Sequence, residues 1–135
     1  MRQPFTCFLI DNDEEDQEIF SMALQQADPH IQCAFVNNGP GALHKLNADL
    51  SFIPSLIFID MNMPLMNGTQ CLEEIKKLPR LSKVPVYIYS TAADPLTVAQ
   101  VKQMGATDFI VKPVSFKELT EILSRILHHH KSFSL

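Results

Sequence analysis

Apolar and helical segments alternate along the chain in a regular order. Short apolar runs at 5–10, 32–36, 55–59, 84–89 and 107–111 read as strands. Each is followed by a stretch with helical spacing. Residues 14–27 place apolar side chains at 19/20, 23/24 and 27, and Asp28-Pro29 ends that helix. Asn37-Asn38-Gly39 is a turn, and a short helix with Leu43 and Leu46 on its inner face comes next. Residues 69–78 put Leu72, Ile75 and Leu78 on one side. A fourth helix is predicted from Pro95, a good first-turn residue, to Met104, with Gly105 as its C-terminal cap. The last helix is predicted from the N-cap Ser115 to about residue 128. Its stripe is Phe116, Leu119, Ile122/Leu123 and Ile126/Leu127.

Strict strand–helix alternation implies a parallel sheet with right-handed crossovers. The central strands are nearly continuous apolar runs, as a sheet covered on both faces requires. No repeat, low-complexity segment or interdomain linker interrupts the pattern. The expectation is therefore one α/β domain over 1–135, with a core at 5–127 and a short C-terminal tail at 128–135.

Composition narrows the function classes. A net charge of −4 with no basic stripe argues against DNA or other nucleic-acid partners. The apolar runs are too short to span a membrane. The N-terminus lacks the long apolar region of a secretory signal, so a cytoplasmic protein is expected. Cys7, Cys33 and Cys71 form no C-x-x-C pair and read as small buried hydrophobes in a reducing compartment.

Ligands of such sheets collect outside the carboxyl ends of the strands. The first run ends in Asp11, followed by Asn12 and Asp13. The third ends in Asp60, the fourth in Ser90 and the fifth in Lys112. Two carboxylates, a hydroxyl and an amine thus come to one edge from four strands. The chemistry they suit is phosphoryl transfer to a carboxylate, with Asp60 as nucleophile. Neighbouring acids favour a divalent cation, and oxygen ligands with phosphate chemistry favour Mg²⁺, Mn²⁺ being the alternative. Lys112 would pair with the phosphate, or with Asp60 before transfer. Ser90 would donate its hydroxyl to a phosphoryl oxygen.

Several motifs together resemble the response-regulator receiver domain of two-component signalling. They are Asp11-Asn12-Asp13, Asp60-Met61-Asn62-Met63-Pro64 with Gly68, Pro85-Val86 leading to Ser90-Thr91-Ala92, and Gly105-Ala106 through Phe109 to Lys112-Pro113. The resemblance implies a flavodoxin-like (βα)5 doubly wound, five-stranded parallel sheet of order 2-1-3-4-5. It implies Mg²⁺-dependent transfer to Asp60 from a sensor histidine kinase, with onward output through a downstream protein or a histidine phosphotransfer protein. Asp11, Asn12, Asp60 and the Asn62 backbone carbonyl match the metal positions. Ser90, Phe109 and Lys112 match the switch hydroxyl, the switch aromatic and the phosphate-pairing lysine. The Lys112–Pro113 bond would be cis by the same analogy. A stand-alone signalling module, not a turnover enzyme, is implied, as a monomer or weak homodimer.

Two positions depart from the pattern. Asn12 stands where the second acid of the pair is usual, which points to weaker metal binding. Asp13 either compensates or caps the first helix. Phe109 replaces the more usual Tyr and can rotate but cannot bond through a hydroxyl. An alternative is a degenerate receiver that binds partners without accepting phosphate. A phosphatase of the haloacid dehalogenase type is disfavoured, since Asn62 occupies the position of its general acid and base. Glu14, Glu15 and Asp16 read as acids suited to a helix N-terminus. His128-His129-His130 reads as a frayed, solvated helix end rather than a metal tract. Asn38-Gly39-Pro40-Gly41 reads as turn chemistry, not a phosphate loop. Met61, Met63 and Met66 are either a soft docking surface or loop packing.

Overall fold

The computed structural model describes residues 4–132. The elements follow in the order β1 (Thr6–Ile10), α1 (Glu14–Ala27), β2 (Gln32–Val36), α2 (Gly39–Ala48), β3 (Leu56–Asp60) and α3 (Gly68–Lys76). A 3-10 turn (Pro79–Leu81) leads to β4 (Val86–Ser90), α4 (Pro95–Gln103), β5 (Asp108–Val111) and α5 (Phe116–Ser132). The strands pair in parallel in the order β2-β1-β3-β4-β5, as expected.

Period-two alternation divides the apolar runs between two cores. Phe8, Ile10, Ile57, Ile59, Val86 and Ile88 face α2, α3 and α4, where Leu46, Leu72, Ile75 and Val101 meet them. Cys7, Leu9, Leu56, Phe58, Tyr87, Tyr89 and Ile110 face α1 and α5, where Phe20, Leu24, Leu119, Leu123 and Leu127 meet them. Phe20 sets its ring edge-on to Phe58 and Tyr89, at centroid separations of 5.0 and 5.7 Å. β3 is buried at all five positions, while the edge strands β2 and β5 are partly exposed.

Side-chain caps fix the helix starts. Asp13 accepts from the N–H groups of Glu15 and Asp16, which stabilises α1 by about 1 kcal/mol. Asn38 caps α2 through the Gly41 N–H, so the Asn-Gly-Pro-Gly stretch is helix-start chemistry. Asn67 and Gln70 form a reciprocal capping box on α3. Ser115 Oγ accepts from Glu118 N, and Gly105 follows α4 with φ +106°.

Several expectations are corrected. No peptide bond among the described residues is cis, so Lys112–Pro113 is trans, the form an X–Pro bond favours by about 0.5–1 kcal/mol. The expected tail at 128–135 is helical through Ser132, and 133–135 lie outside the described residues. Its last turn is anchored, not frayed: the Tyr87 hydroxyl and His130 Nε2 are 2.6 Å apart, and Lys131 reaches Asp28 at 2.6 Å. Burial against Tyr87 and the neighbouring His129 charge pull His130 below the usual histidine range. Met61, Met63 and Met66 pack, partly buried, against the α2–α3–α4 core. Cys7 and Cys71 are buried and Cys33 half-buried; burial pushes the Cys33 and Cys71 thiols up to about 12.

Gly68 opens α3 directly against the end of β3. A Cβ there would lie 2.8 Å from the Asp60 carbonyl oxygen and 2.8 Å from Met61 Cα, both backbone atoms that cannot give way. Gly68→Ala is expected to lower the unfolding free energy by roughly 1–3 kcal/mol in chemical denaturation, because overpacking outweighs any gain in helix propensity of up to about 1 kcal/mol. An unchanged midpoint would show that the approach of α3 to β3 tolerates a methyl group.

Candidate functional site

The carboxyl ends of four strands meet at one edge of the sheet. Asp11 follows β1, and its N–H extends the β1–β2 ladder by bonding to Val36 O at 3.1 Å. Asp60 closes β3 opposite Tyr89. Ser90 closes β4, and the Lys112 N–H bonds to its carbonyl at 2.7 Å, so the lysine leaves the sheet at a fixed point. Leu9, Phe58 and Ile110 lie two residues before Asp11, Asp60 and Lys112, and all three face α1 and α5. Alternation therefore sends these three polar side chains to that same face.

They converge on the lysine. Lys112 Nζ lies 3.0 Å from Asp11 Oδ2, 3.6 Å from Asp60 Oδ2 and 2.8 Å from Asp16 Oδ2. It also sits 5.0 Å from the centre of the Tyr89 ring, within cation–π range. The acids at the strand ends are buried, Asp11 0% and Asp60 5% exposed, and Ser90 at the end of β4 is 1% exposed. Asp11 is held firmly, its Oδ1 accepting from Asp13 N at 3.0 Å and its carbonyl from Gln17 Nε2 at 2.6 Å. Gln17 also donates to Asn37 Oδ1, tying the ends of β1 and β2 together. Asp60 Oδ1 accepts from the Asn62 N–H at 3.3 Å.

Three carboxylates around one ammonium leave an excess of negative charge in a buried place. Burial pushes the Asp60 carboxyl up to about 6; the Lys112 charge opposes this, and the Asp11 charge reinforces it. Burial works against the Lys112 ammonium as well. Its hydrogen bonds to Asp16 and Asp11, with the charges of Asp11 and Asp60, prevail and hold its pKa above the ordinary lysine value. The same burial pushes the Tyr89 hydroxyl up to about 12.

This donor set fits a magnesium ion. Mg²⁺ is bound by one or two carboxylates, completed by carbonyls, water and phosphate, rather than by an all-protein cage. Asp11 and Asp60 supply the two carboxylates, and the net charge around Lys112 calls for a cation.

The remaining expected residues fall into place around this centre. Asn12 and Asn62 are exposed at the rim. Asp13 spends its side chain on capping α1. Phe109 lies half-buried on the other face of the sheet, against the core that contains Ile88 and Val101. Ser90, one residue past the inward-facing Tyr89, falls by alternation on that face too, so Ser90 and Phe109 are neighbours in orientation.

Asp16, Gln17 and Tyr89 belong to the site and were not anticipated. Asp16 carried a signal: it lies four residues before Phe20, which is buried against β3, so it continues the inner stripe of α1. The acidic run around it concealed that position.

Comparison with known proteins agrees with the geometry. The family model for the response regulator receiver domain matches residues 7–124. The chain is 30% identical over 118 residues to the two-component response regulator ORR11 of rice, covering 87% of this chain and 78% of that protein. It is 32% identical over 124 residues to a CpxR homologue of Haemophilus influenzae, covering 92% of this chain and 51% of that protein. In three dimensions it resembles the phosphorylated cyanobacterial phytochrome response regulator RcpA, with a TM-score of 0.86 at 24% identity over 97% of this chain and 96% of that one. It also resembles the Mn²⁺-bound response regulator Rcp1, with a TM-score of 0.80 at 23% identity over 92% of each chain. The structural likenesses establish the fold, and the sequence matches establish descent: the chain belongs to the response regulator receiver domain family.

Proposed function

We propose that this receiver accepts a phosphoryl group on Asp60 and acts as a phosphorylation-controlled protein-binding switch or phosphorelay intermediate. The observation that carries this reading is the convergence of Asp11 and Asp60 on Lys112 in one buried place, at the end of the sheet where Ser90 closes β4. An Asp60 oxygen attacks the phosphorus of a phosphohistidine. A P–O bond forms, the P–N bond breaks, and the imidazole leaves with the electron pair and takes up a proton. Asp11, Asp60 and the Asn62 carbonyl would hold Mg²⁺, with the Asn12 amide at the rim. The ion, when bound, neutralises charge on the phosphoryl oxygens. Lys112 pairs with a phosphoryl oxygen, and Ser90 donates its hydroxyl to another. Movement of Ser90 toward the phosphate frees space on the α3–α4 face, where Phe109 packs. The reading carries with it a histidine kinase or phosphotransfer partner and a cytoplasmic setting. Among the described residues no helix is long and apolar enough to cross a membrane.

Intact mass after incubation with acetyl phosphate and Mg²⁺ tests the reading. One phosphoryl adduct is expected, lost in Asp60→Ala and on chelation of the metal. No adduct with a small donor or with a histidine kinase would favour a degenerate, binding-only receiver.

The metal site should respond to its missing charge. Asn12→Asp is expected to bind Mg²⁺ more tightly, by about tenfold for one added carboxylate near the ion. Equal affinities in a Mg²⁺ titration would show that the side chain at position 12 does not reach the ion.

Stability should follow the raised Asp60 pKa. The folded state binds this proton more readily than the unfolded chain, so stability falls as pH rises from about 4 to about 6. Asp60→Asn removes that penalty. In metal-free buffer at neutral pH it is expected to stabilise the fold by roughly 1–3 kcal/mol, with the gain vanishing below about pH 4. A destabilised Asp60→Asn at neutral pH would show that the Lys112 attraction dominates the carboxylate.

A further inference from the structure

Lys112 is shared unequally among its three carboxylates. Its Nζ is within hydrogen-bond distance of Asp16 (2.8 Å) and Asp11 (3.0 Å), but stands 3.6 Å from Asp60. Asp16 is the only one of the three that does not come from the end of a strand. It sits in the first turn of α1, a helix whose start is pinned by the Asp13 cap. The three acids also differ in solvation. The Asp16 side chain is 33% exposed, while those of Asp11 and Asp60 are 0% and 8% exposed. A lysine that leaves Asp16 returns that carboxylate to water at small cost. A lysine that leaves Asp11 strands a buried charge. Asp16 is thus the partner that Lys112 can give up.

We propose that Asp16 is a positioning residue that holds the Lys112 ammonium off Asp60 until phosphoryl oxygens arrive. In that state Asp60 keeps its charge open to a divalent cation and to the incoming phosphorus. The ammonium, three donors on a flexible stem, then exchanges the Asp16 oxygen for a phosphoryl oxygen by a short swing. Without Asp16 the nearest remaining acceptor for the freed donor is Asp60. The lysine would close on it and compete with the cation. The proposal rests on the phosphoacceptor reading of Asp60 and adds a control over the lysine that serves it.

The test is a calorimetric Mg²⁺ titration of wild type, Asp16→Asn, Asp16→Glu, Lys112→Met and the Asp16→Asn/Lys112→Met double variant, with folding checked by circular dichroism. Asp16→Asn is expected to weaken Mg²⁺ binding about tenfold, the order given by closing the Lys112–Asp60 gap from 3.6 Å to hydrogen-bond length at an effective dielectric of about 20. Asp16→Glu should recover most of the loss, which carries the test if Asp16→Asn does not fold. In the Lys112→Met background the Asp16→Asn change should matter by less than about threefold, because a partly exposed charge acting alone is screened. Wild-type affinity in Asp16→Asn, or the same tenfold loss with Lys112 absent, would overturn the proposal. Acetyl phosphate and intact mass on the same samples separate the two ideas. The expected metal pattern without an adduct on wild type overturns the phosphoacceptor reading alone, and an adduct with a flat metal pattern overturns the role of Asp16 alone.

Discussion

The site is organised by a shortage of positive charge. One ammonium, Lys112, faces Asp11, Asp16 and Asp60 at the buried end of a parallel sheet. Burial opposes the charges of Asp60 and Lys112, and the attraction between the ammonium and the acids around it offsets that cost. The lysine cannot neutralise all three acids. What remains is a local excess of negative charge. Burial raises the Asp60 pKa and the Asp11 charge adds to it, while the acids around Lys112 hold the ammonium's pKa above its ordinary value.

The fold creates this arrangement by geometry rather than by any single strong contact. Parallel strands put all their carboxyl ends at one edge, and alternation sends residues 11, 60 and 112 to the α1–α5 face. Gly68 lets α3 start against the Asp60 backbone. Asp13 caps α1 and so presents Asp16, one turn on, to the same lysine. The other face holds Ser90 in orientation with Phe109, half-buried at the edge strand. The charged cluster thus lies on one side of the sheet, and Ser90 and Phe109 lie on the other.

Much of this was legible from sequence. The apolar runs ending in Asp11, Asp60, Ser90 and Lys112 located the site, because strand ends in a parallel sheet must share an edge. The helix starts were legible where capping chemistry is local, as at Asp13 and Ser115. Non-local interactions were not. The Tyr87–His130 contact at the end of α5 joins residues 43 apart in sequence. Asp16 was hidden because an acidic first turn already has a sufficient explanation in the helix dipole. Extending the Phe20 stripe back one turn would have placed it inward. The cis geometry expected at Pro113 came from resemblance alone, with no local chemistry behind it, and the bond is trans.

On the proposed reading, Asp60 is a phosphoacceptor whose lysine is engaged with Asp16 and Asp11. The most direct measurement is a crystal structure with Mg²⁺ and beryllofluoride, a mimic of the phosphoryl group. The account requires beryllium bonded to an Asp60 oxygen, Mg²⁺ held by Asp11 and Asp60, and Lys112 Nζ moved from Asp16 to a fluorine. Beryllofluoride absent from Asp60, or Lys112 still bonded to Asp16 beside an occupied Asp60, would contradict it.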